Sequence, residues 1–247
     1  MTSHASNVAQ ALDRGSQRQA GPPSDDALGA ELRGFGPLGL VAIAAILLTG
    51  NVFVAPMVVL PVGATLILLW AWRSHTPWRA IGYVRPKSWI LTIAVGVAFG
   101  VAFKLVMKAI VMPLLGADPV NQTYHFLAGN RAILPAAIWG MLNAGFAEET
   151  LFRGFMFERL GKLFGRSAWT KTAIVLITTT WFALAHYADQ GLAGTEQAAF
   201  TGLAFGTIVA VTGSVFLPMV AHAAFDLTAL TIIYYDAEVA VAHFVFK

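Results

Sequence analysis

The chain has 247 residues, of which 57% are hydrophobic and only 12% are charged, and its formal net charge is +3. Soluble globular proteins carry roughly 25% charged residues, so a surface this poor in charge must face lipid. The sequence contains no cysteine, which excludes disulfides, thiolate zinc sites and cysteine nucleophiles. The small positive charge gives no indication of nucleic-acid binding.

The N-terminal segment is polar, and a Gly-Pro-Pro-Ser-Asp-Asp stretch lies within it. It lacks the basic start and the apolar core of a signal peptide. We therefore expect residues 1–34 to form a disordered cytoplasmic tail. Residues 35–247 are expected to form a single transmembrane helical domain.

Seven apolar runs follow the tail, and most approach the length of about 20 residues that a membrane-spanning helix needs. In chain order they cover residues 35–50, 52–72, 88–116, 132–163, 169–187, 198–213 and 215–235. The runs predict an all-α, polytopic membrane helix bundle with about seven (seven or eight) transmembrane helices. A turn at Gly50-Asn51 would join the first two runs as a hairpin.

The fourth run, residues 132–163, is too long for one simple span. As a straight helix it would measure about 48 Å, whereas the hydrocarbon core of a bilayer is about 30 Å thick. We therefore expect this run either to break near residues 143–145 or to begin outside the membrane.

Charge in the loops predicts the orientation. The loops after the second and fourth runs are rich in arginine and lysine. In contrast, the loop after the third run has Asp118 with Arg131, and the loop after the fifth run has Asp189 and Glu196. Under the positive-inside rule, this alternation places the N-terminus in the cytoplasm. The alanine-rich composition suggests a bacterial cytoplasmic membrane, so the expected partners are membrane lipid and a substrate at the membrane. The sequence leaves the oligomeric state open.

Several ionisable side chains lie inside the apolar runs, where inserting a charge costs about 2.5–3.5 kcal/mol. They are Lys104, Lys108, Glu148, Glu149, Arg153, His186, His222 and Asp226. Such groups usually face one another or a wet cavity, which makes them candidates for a functional site. We interpret the two lysines differently, either as side chains that snorkel to the membrane surface or as part of an amphipathic continuation of the third helix.

The acidic pair in the fourth run has an informative spacing. Glu149 and Arg153 are four residues apart, so they can form an ion pair on one helix face. Glu148 is rotated by about 100° and cannot share that arginine equally. It is left desolvated beside a like charge, which favours a role as a general base with Glu149 and Arg153 as its support. The alternative is a charged helix end that packs against lipid headgroups.

The two intramembrane histidines differ in how strongly their sequence context indicates a functional role. His222 and Asp226 are four residues apart, so the carboxylate can fix the imidazole tautomer or complete a ligand set. The alternative is a polar pair that joins two helices. His186 ends the fifth run, and taken alone it is as compatible with an interfacial position as with a functional one.

Three motifs occur in order on successive apolar segments. Residues 148–153 have the form EExxxR, residues 182–186 the form FxxxH, and residues 222–226 the form HxxxD. Together they closely resemble the CPBP family of intramembrane proteases, which includes CAAX prenyl endopeptidases and bacterial Abi or bacteriocin-immunity proteins. The resemblance covers residues 131–235. It implies an all-α membrane fold and peptide-bond hydrolysis in a cavity within the membrane.

The resemblance also implies roles for the acidic motif and for His186. The water-activating glutamate of the family falls on Glu148, and the histidine that helps to hold the water falls on His186. The second glutamate and the arginine that support the site fall on Glu149 and Arg153.

The remaining pair, which stabilises the oxyanion in the family, falls on His222 and Asp226. CAAX endopeptidases usually have asparagine at the second position, and its amide can donate to an oxyanion, whereas an ionised aspartate cannot. Asp226 therefore orients a protonated His222, is itself protonated, or helps to bind a metal. We expect no required cofactor, because a glutamate mechanism needs none. A zinc ion stays open, since histidines and carboxylates are its common ligands.

The predicted function is a glutamate-dependent intramembrane endopeptidase that acts on a membrane-associated peptide or protein. The alternative is a non-catalytic membrane immunity or scaffold protein that uses the same polar cavity for binding. A proton-coupled transporter is disfavoured, because the polar constellation has no repeat in the other half of the chain.

Overall fold

The computed structural model describes residues 26–50, 56–165 and 167–246. All regular structure in these ranges is helical, which confirms the predicted all-α class. The α-helices are α1 (Ala27–Arg33), α2 (Pro37–Gly50), α3 (Pro56–Arg73), α4 (Trp89–Val106), α5 (Leu134–Glu148), α6 (Met156–Phe164), α7 (Ala168–Thr212), α8 (Phe216–Tyr234) and α9 (Glu238–Ala242). A π-helical segment, Met107–Val111, and a short turn, Met112–Leu114, extend α4. Short 3-10 turns lie at Trp78–Ile81 and His125–Leu127.

The N-terminal prediction is wrong for its last residues. Helix α1 occupies part of the expected disordered tail, and Asp26 caps it by accepting a hydrogen bond from the Gly29 amide at 3.0 Å. An N-cap of this kind satisfies a backbone donor that the first turn leaves free. Residues 1–25 of the predicted tail, and Asn51 of the predicted turn at Gly50-Asn51, lie outside the described residues.

The fourth apolar run does not break at residues 143–145. Helix α5 passes through them, and the irregularity lies later, in the π-helical segment Glu149–Phe155 that joins α5 to α6. Gly145 marks a close helix contact instead, because a Cβ there would lie 2.8 Å from the Ala223 nitrogen and 2.9 Å from the Met219 carbonyl oxygen of α8. The wider π-helical turn coincides with the buried acidic pair, as such segments often do at functional sites.

The fifth and sixth runs form two helical segments of α7 that meet directly at Gly191. Helix α7 has 45 residues, and only Gly191 within it leaves helical geometry, at φ 61° and ψ −157°. The predicted loop around Asp189 and Glu196 is therefore a kink at one glycine, which can adopt this positive φ without the steric penalty of a Cβ.

Fewer helices meet the requirements of a membrane span than the seven predicted. Within the described residues, three are long and apolar enough, and the bent pair α1 and α2 brings the number to four at most. The three are Trp89–Leu114, Ala168–Thr212 and Phe216–Tyr234. The difference arises because α7 covers two runs, because the π-helical segment divides the fourth run into pieces too short to qualify, and because the second run contributes only the shorter apolar helix Leu60–Arg73.

Helix α8 lies between α4 and α5. Gly100 of α4 meets Ala221 of α8 so closely that a Cβ would lie 2.1 Å from the Ala221 carbonyl oxygen, and Gly145 of α5 faces the same helix. Small residues allow helix backbones to approach in this way within membranes. The contact places His222, which follows Ala221, in the interior beside the acidic pair.

Candidate active site

Glu149 is the centre of the buried polar cluster. Its Oε1 atom accepts hydrogen bonds from Nη1 of Arg153 at 2.9 Å and from Nδ1 of His222 at 2.9 Å. The side chain of Glu149 is fully buried, at 0% exposure. One carboxylate thus joins the π-helical segment to α8, and a buried carboxylate needs such partners to be tolerated.

Arg153 lies in an aromatic environment. Its guanidinium carbon is 4.4 Å from the ring centroid of Phe182, and the rings of Phe152 and Phe205 lie at 5.9 and 6.0 Å. A guanidinium over an aromatic face gains cation–π attraction, most strongly when water is excluded. Because the arginine is only 1% exposed, it is placed to hold Glu149 rather than to meet a ligand.

His222 is surrounded by three carboxylates. Its Nδ1 atom must carry the hydrogen of the bond to Glu149, since a carboxylate oxygen can only accept. Its Nε2 atom lies 3.6 Å from Oε2 of Glu148 and 3.5 Å from Oδ2 of Asp226, on the side facing away from Glu149. These two carboxylates are more accessible than Glu149, at 14% and 20% side-chain exposure.

His186 occupies the part of α7 before the kink. Its Nδ1–H donates to the Phe182 carbonyl oxygen at 2.8 Å, which leaves Nε2 as an acceptor. The Phe182 ring lies against both histidines, with centroid distances of 4.5 Å to His186 and 6.1 Å to His222. Within the described residues His186 makes no hydrogen bond to the acidic pair, although it shares a cavity with Glu148.

A cavity of about 230 Å³ connects these groups. Its lining includes Glu148, His186, His222 and Asp226, and seven further polar side chains: Lys104, Asn121, Tyr124, Asp189, Gln190, Gln197 and Thr201. The structure thus brings four of the predicted residues to one space, while Glu149 and Arg153 lie behind them.

Tyr124 belongs to the segment between α4 and α5, outside the candidate spans. Burial, followed by the negative charges of Asp226 and Glu148, raises the pKa of Tyr124 to about 12. The phenol therefore keeps its proton near neutral pH and can donate into the cavity, while its oxygen accepts from Nε2 of Gln190 at 3.3 Å.

Residues 130–228 match the family model described as type II CAAX prenyl endopeptidase Rce1-like. This segment is similar to the Rce1-like family. The match confirms the resemblance drawn from the three motifs, and it supports a protease at the level of the family. Together with the apolar helices it identifies an integral membrane protein. No curated protein and no solved structure matches the chain.

The Rce1-like segment contains the six site residues that the sequence predicted, but Lys104 and Tyr124 of the same cavity lie outside it. The interpretation of Lys104 as a snorkelling side chain is wrong, because Lys104 is 6% exposed and donates to Oε1 of Gln197 at 2.7 Å. Gln190 and Gln197 lie on opposite sides of the kink at Gly191, so helical spacing in the sequence gave no signal that they face one cavity.

The acidic groups and histidines are close to one another without forming a metal cage. Within the described residues, no three His, Cys, Asp or Glu side chains are arranged to hold a metal ion. One oxygen of the Glu149 carboxylate is instead shared between Arg153 and His222.

Proposed function

We propose that the protein is an intramembrane endopeptidase that hydrolyses a peptide bond of a membrane-associated peptide or protein. One observation carries this proposal: a glutamate, two histidines and an aspartate from three segments of the chain line one cavity among apolar helices. Ionisable groups in such surroundings mark functional sites in membrane proteins. The match of residues 130–228 to a protease family supports the same reaction class.

In the proposed reaction, Glu148 acts as the general base. It accepts a proton from a water molecule that also donates to Nε2 of His186, the free acceptor of that ring. The water oxygen then bonds to the carbonyl carbon of the peptide. When the carbon–nitrogen bond breaks, Glu148 returns the proton to the leaving amine, so that the products are a carboxylic acid and an amine.

His222 is proposed to stabilise the oxyanion. Its Nδ1–H is bonded to Glu149, and a hydrogen on Nε2 would be favoured by the neighbouring carboxylates of Glu148 and Asp226. Such an imidazolium donates to the negative oxygen of the tetrahedral intermediate. Asp226 then orients and neutralises the ring, and its carboxylate needs no donor of its own.

The test is hydrolysis in heavy-oxygen water. Purified protein in liposomes is incubated with a library of apolar peptides, and mass spectrometry records new carboxyl termini that carry the heavy isotope. We expect such termini with the wild type, and a loss of about 10²- to 10⁴-fold with Glu148→Gln, which removes the base but keeps the shape of the side chain. Glu196→Gln is the control, because Glu196 does not line the cavity.

Full turnover in Glu148→Gln would contradict this mechanism. If the wild type produces no labelled terminus but still binds library peptides, the non-catalytic binding protein becomes the better explanation of the cavity.

A further inference from the structure

Lys104 is a buried cation with no carboxylate in contact in the described part of the chain, and Asp226 and Glu238 act on it only across a longer distance. Its Nζ atom donates to the neutral Oε1 of Gln197 at 2.7 Å and lies 4.8 Å from the ring centroid of Phe225. Within residues 26–50, 56–165 and 167–246, no carboxylate oxygen lies within 4.0 Å of this nitrogen. An ammonium group has three N–H donors, so two of them are available to another acceptor.

Lys108, one turn further along the chain, is a buried lysine that does have a carboxylate partner. Its Nζ atom pairs with Oε1 of Glu238 at 3.3 Å and also donates to the Pro119 carbonyl oxygen. Buried lysines are rare unless they are paired, because desolvating an ammonium is unfavourable. The two lysines share one helix and a similar depth, yet only Lys108 has its anion. The contrast indicates that the anion of Lys104 comes from a ligand.

The position of Lys104 brings that ligand into the site cavity. Lys104 and Gln197 line both the site cavity and a second cavity of about 190 Å³, so they lie where the two spaces adjoin. The ring beneath the ammonium belongs to Phe225, the residue before Asp226. A peptide that lies beside Glu148 can therefore reach Lys104 without leaving the cavity system.

A carboxylate is the anion that fits these groups. Lys104 offers free N–H donors, and the Gln197 amide nitrogen has no acceptor within the described residues, so that the two side chains can each bind one oxygen. A phosphate, with its larger charge, would be repelled by Asp226 and Glu148 on the same cavity wall.

We propose that Lys104 and Gln197 form a subsite for a carboxylate of the substrate peptide, and that this contact sets which peptide bond reaches Glu148. The subsite rests on the proposed endopeptidase function. The carboxylate can be the C-terminus of the peptide or an acidic side chain. In both cases the cleaved bond lies at a fixed separation from the anion.

The experiment compares three forms of one apolar peptide library in the heavy-oxygen assay: free acid, C-terminal amide, and amide with Asp and Glu replaced by Asn and Gln. We expect the wild type to cleave the form that keeps the recognised carboxylate about ten- to a hundredfold faster than the form that lacks it. Loss on C-terminal amidation identifies the terminus as the anion. Loss only on replacing Asp and Glu identifies an acidic side chain.

Two variants assign the preference to this subsite. Lys104→Met should cleave all three forms at the same slow rate. Lys108→Gln, which keeps a donor toward Glu238, should retain the preference of the wild type. Equal cleavage of the three forms by the wild type would overturn the subsite, and this comparison needs no variant to fold. A Lys104→Met variant that slows all three forms equally and keeps the preference would overturn it as well.

A binding measurement separates failure of the subsite from failure of the enzyme. A fluorescent alanine–leucine peptide that contains one glutamate is titrated, in the same three forms, into protein in lipid nanodiscs, with wild type and Lys104→Met. If no peptide is hydrolysed but the recognised form still binds more tightly only when Lys104 is present, the endopeptidase proposal fails and the subsite stands. If peptides are hydrolysed but binding and cleavage ignore the carboxylate, the subsite fails and the enzyme stands.

Discussion

The polar cluster has two sides that differ in how far their side chains are exposed to the cavity. On the inner side, Glu149 and Arg153 are sealed among aromatic rings, and a direct hydrogen bond ties Glu149 to His222. On the cavity side, Glu148 and Asp226 are partly exposed, and each lies at least 3.5 Å from its nearest histidine nitrogen. Contacts of that length are too long for good hydrogen bonds.

This difference indicates that the inner side stabilises the fold and that the cavity side takes part in the reaction. Glu149 and Arg153 are sealed from the cavity, so a water molecule or a substrate cannot reach them, and the inner side is suited to holding His222 in place. The carboxylates of Glu148 and Asp226 line the cavity and are available to reacting atoms. We therefore expect substitutions on the inner side to reduce stability and substitutions on the cavity side to reduce turnover.

The largest expected effect is on the inner side, in Arg153→Met. The substitution leaves the carboxylate of Glu149 buried without its cation, and breaking a buried pair in this way costs about 3–5 kcal/mol. Unfolding by sodium dodecyl sulfate in mixed micelles, followed by circular dichroism, measures the free energy of unfolding. Arg131→Met, at an exposed arginine, is the control and should change it by about 0.5 kcal/mol or less.

A second variant makes the comparison sharper. Adding Glu149→Gln to Arg153→Met removes the orphaned charge and keeps an oxygen that accepts from His222, so it should recover most of the lost stability. If Arg153→Met is as stable as Arg131→Met, the inner side is not the structural half of the cluster.

The acidic motif shows what local spacing can predict. Glu149 and Arg153 are four residues apart and do meet, at 2.9 Å, because both lie on one continuous helical segment. The same rule gave His222 to Asp226 as its partner. The structure places Asp226 at 3.5 Å and Glu149 at 2.9 Å, because α5 and α8 approach closely at Gly145. A contact across 73 residues has no signature in local spacing.

The polar segment around Gly191 shows why the loops were harder to predict. Asp189, Gln190 and Gln197 gave this region the composition of a loop, but they line the cavity from a helix. A single sequence does not tell polar residues that face water outside a protein from those that face water inside one. For the same reason Lys104 gave no indication of Gln197, its partner 93 residues further along the chain.

A smaller effect is expected on the cavity side, in Asp226→Asn. The asparagine oxygen can still accept from Nε2 of His222, and its amide offers the donor that the family resemblance leads us to expect, so turnover should stay within about tenfold of the wild type. Asp226→Leu offers neither and should lose about 10²-fold or more. The ratio of the two turnover rates, measured in the heavy-oxygen assay, shows whether Asp226 acts by orienting His222 or through its negative charge. If Asp226→Asn is as slow as Asp226→Leu, the negative charge of Asp226 is what the reaction needs.

The smallest effect is expected at Tyr124, and it appears only at alkaline pH. Its pKa is raised from 10.0 to about 12 in the folded protein, so the phenol contributes stability that is complete below pH 10 and is lost as the pH rises toward 12. Tyr124→Phe cannot ionise, and the fall in unfolding free energy between these two pH values should become smaller. Tyr235→Phe, at a highly exposed tyrosine, should leave the alkaline fall unchanged. An equal alkaline fall in Tyr124→Phe and the wild type would mean that burial and the cavity carboxylates do not hold the phenol protonated, and Tyr124 would then not belong to the cavity side of the cluster.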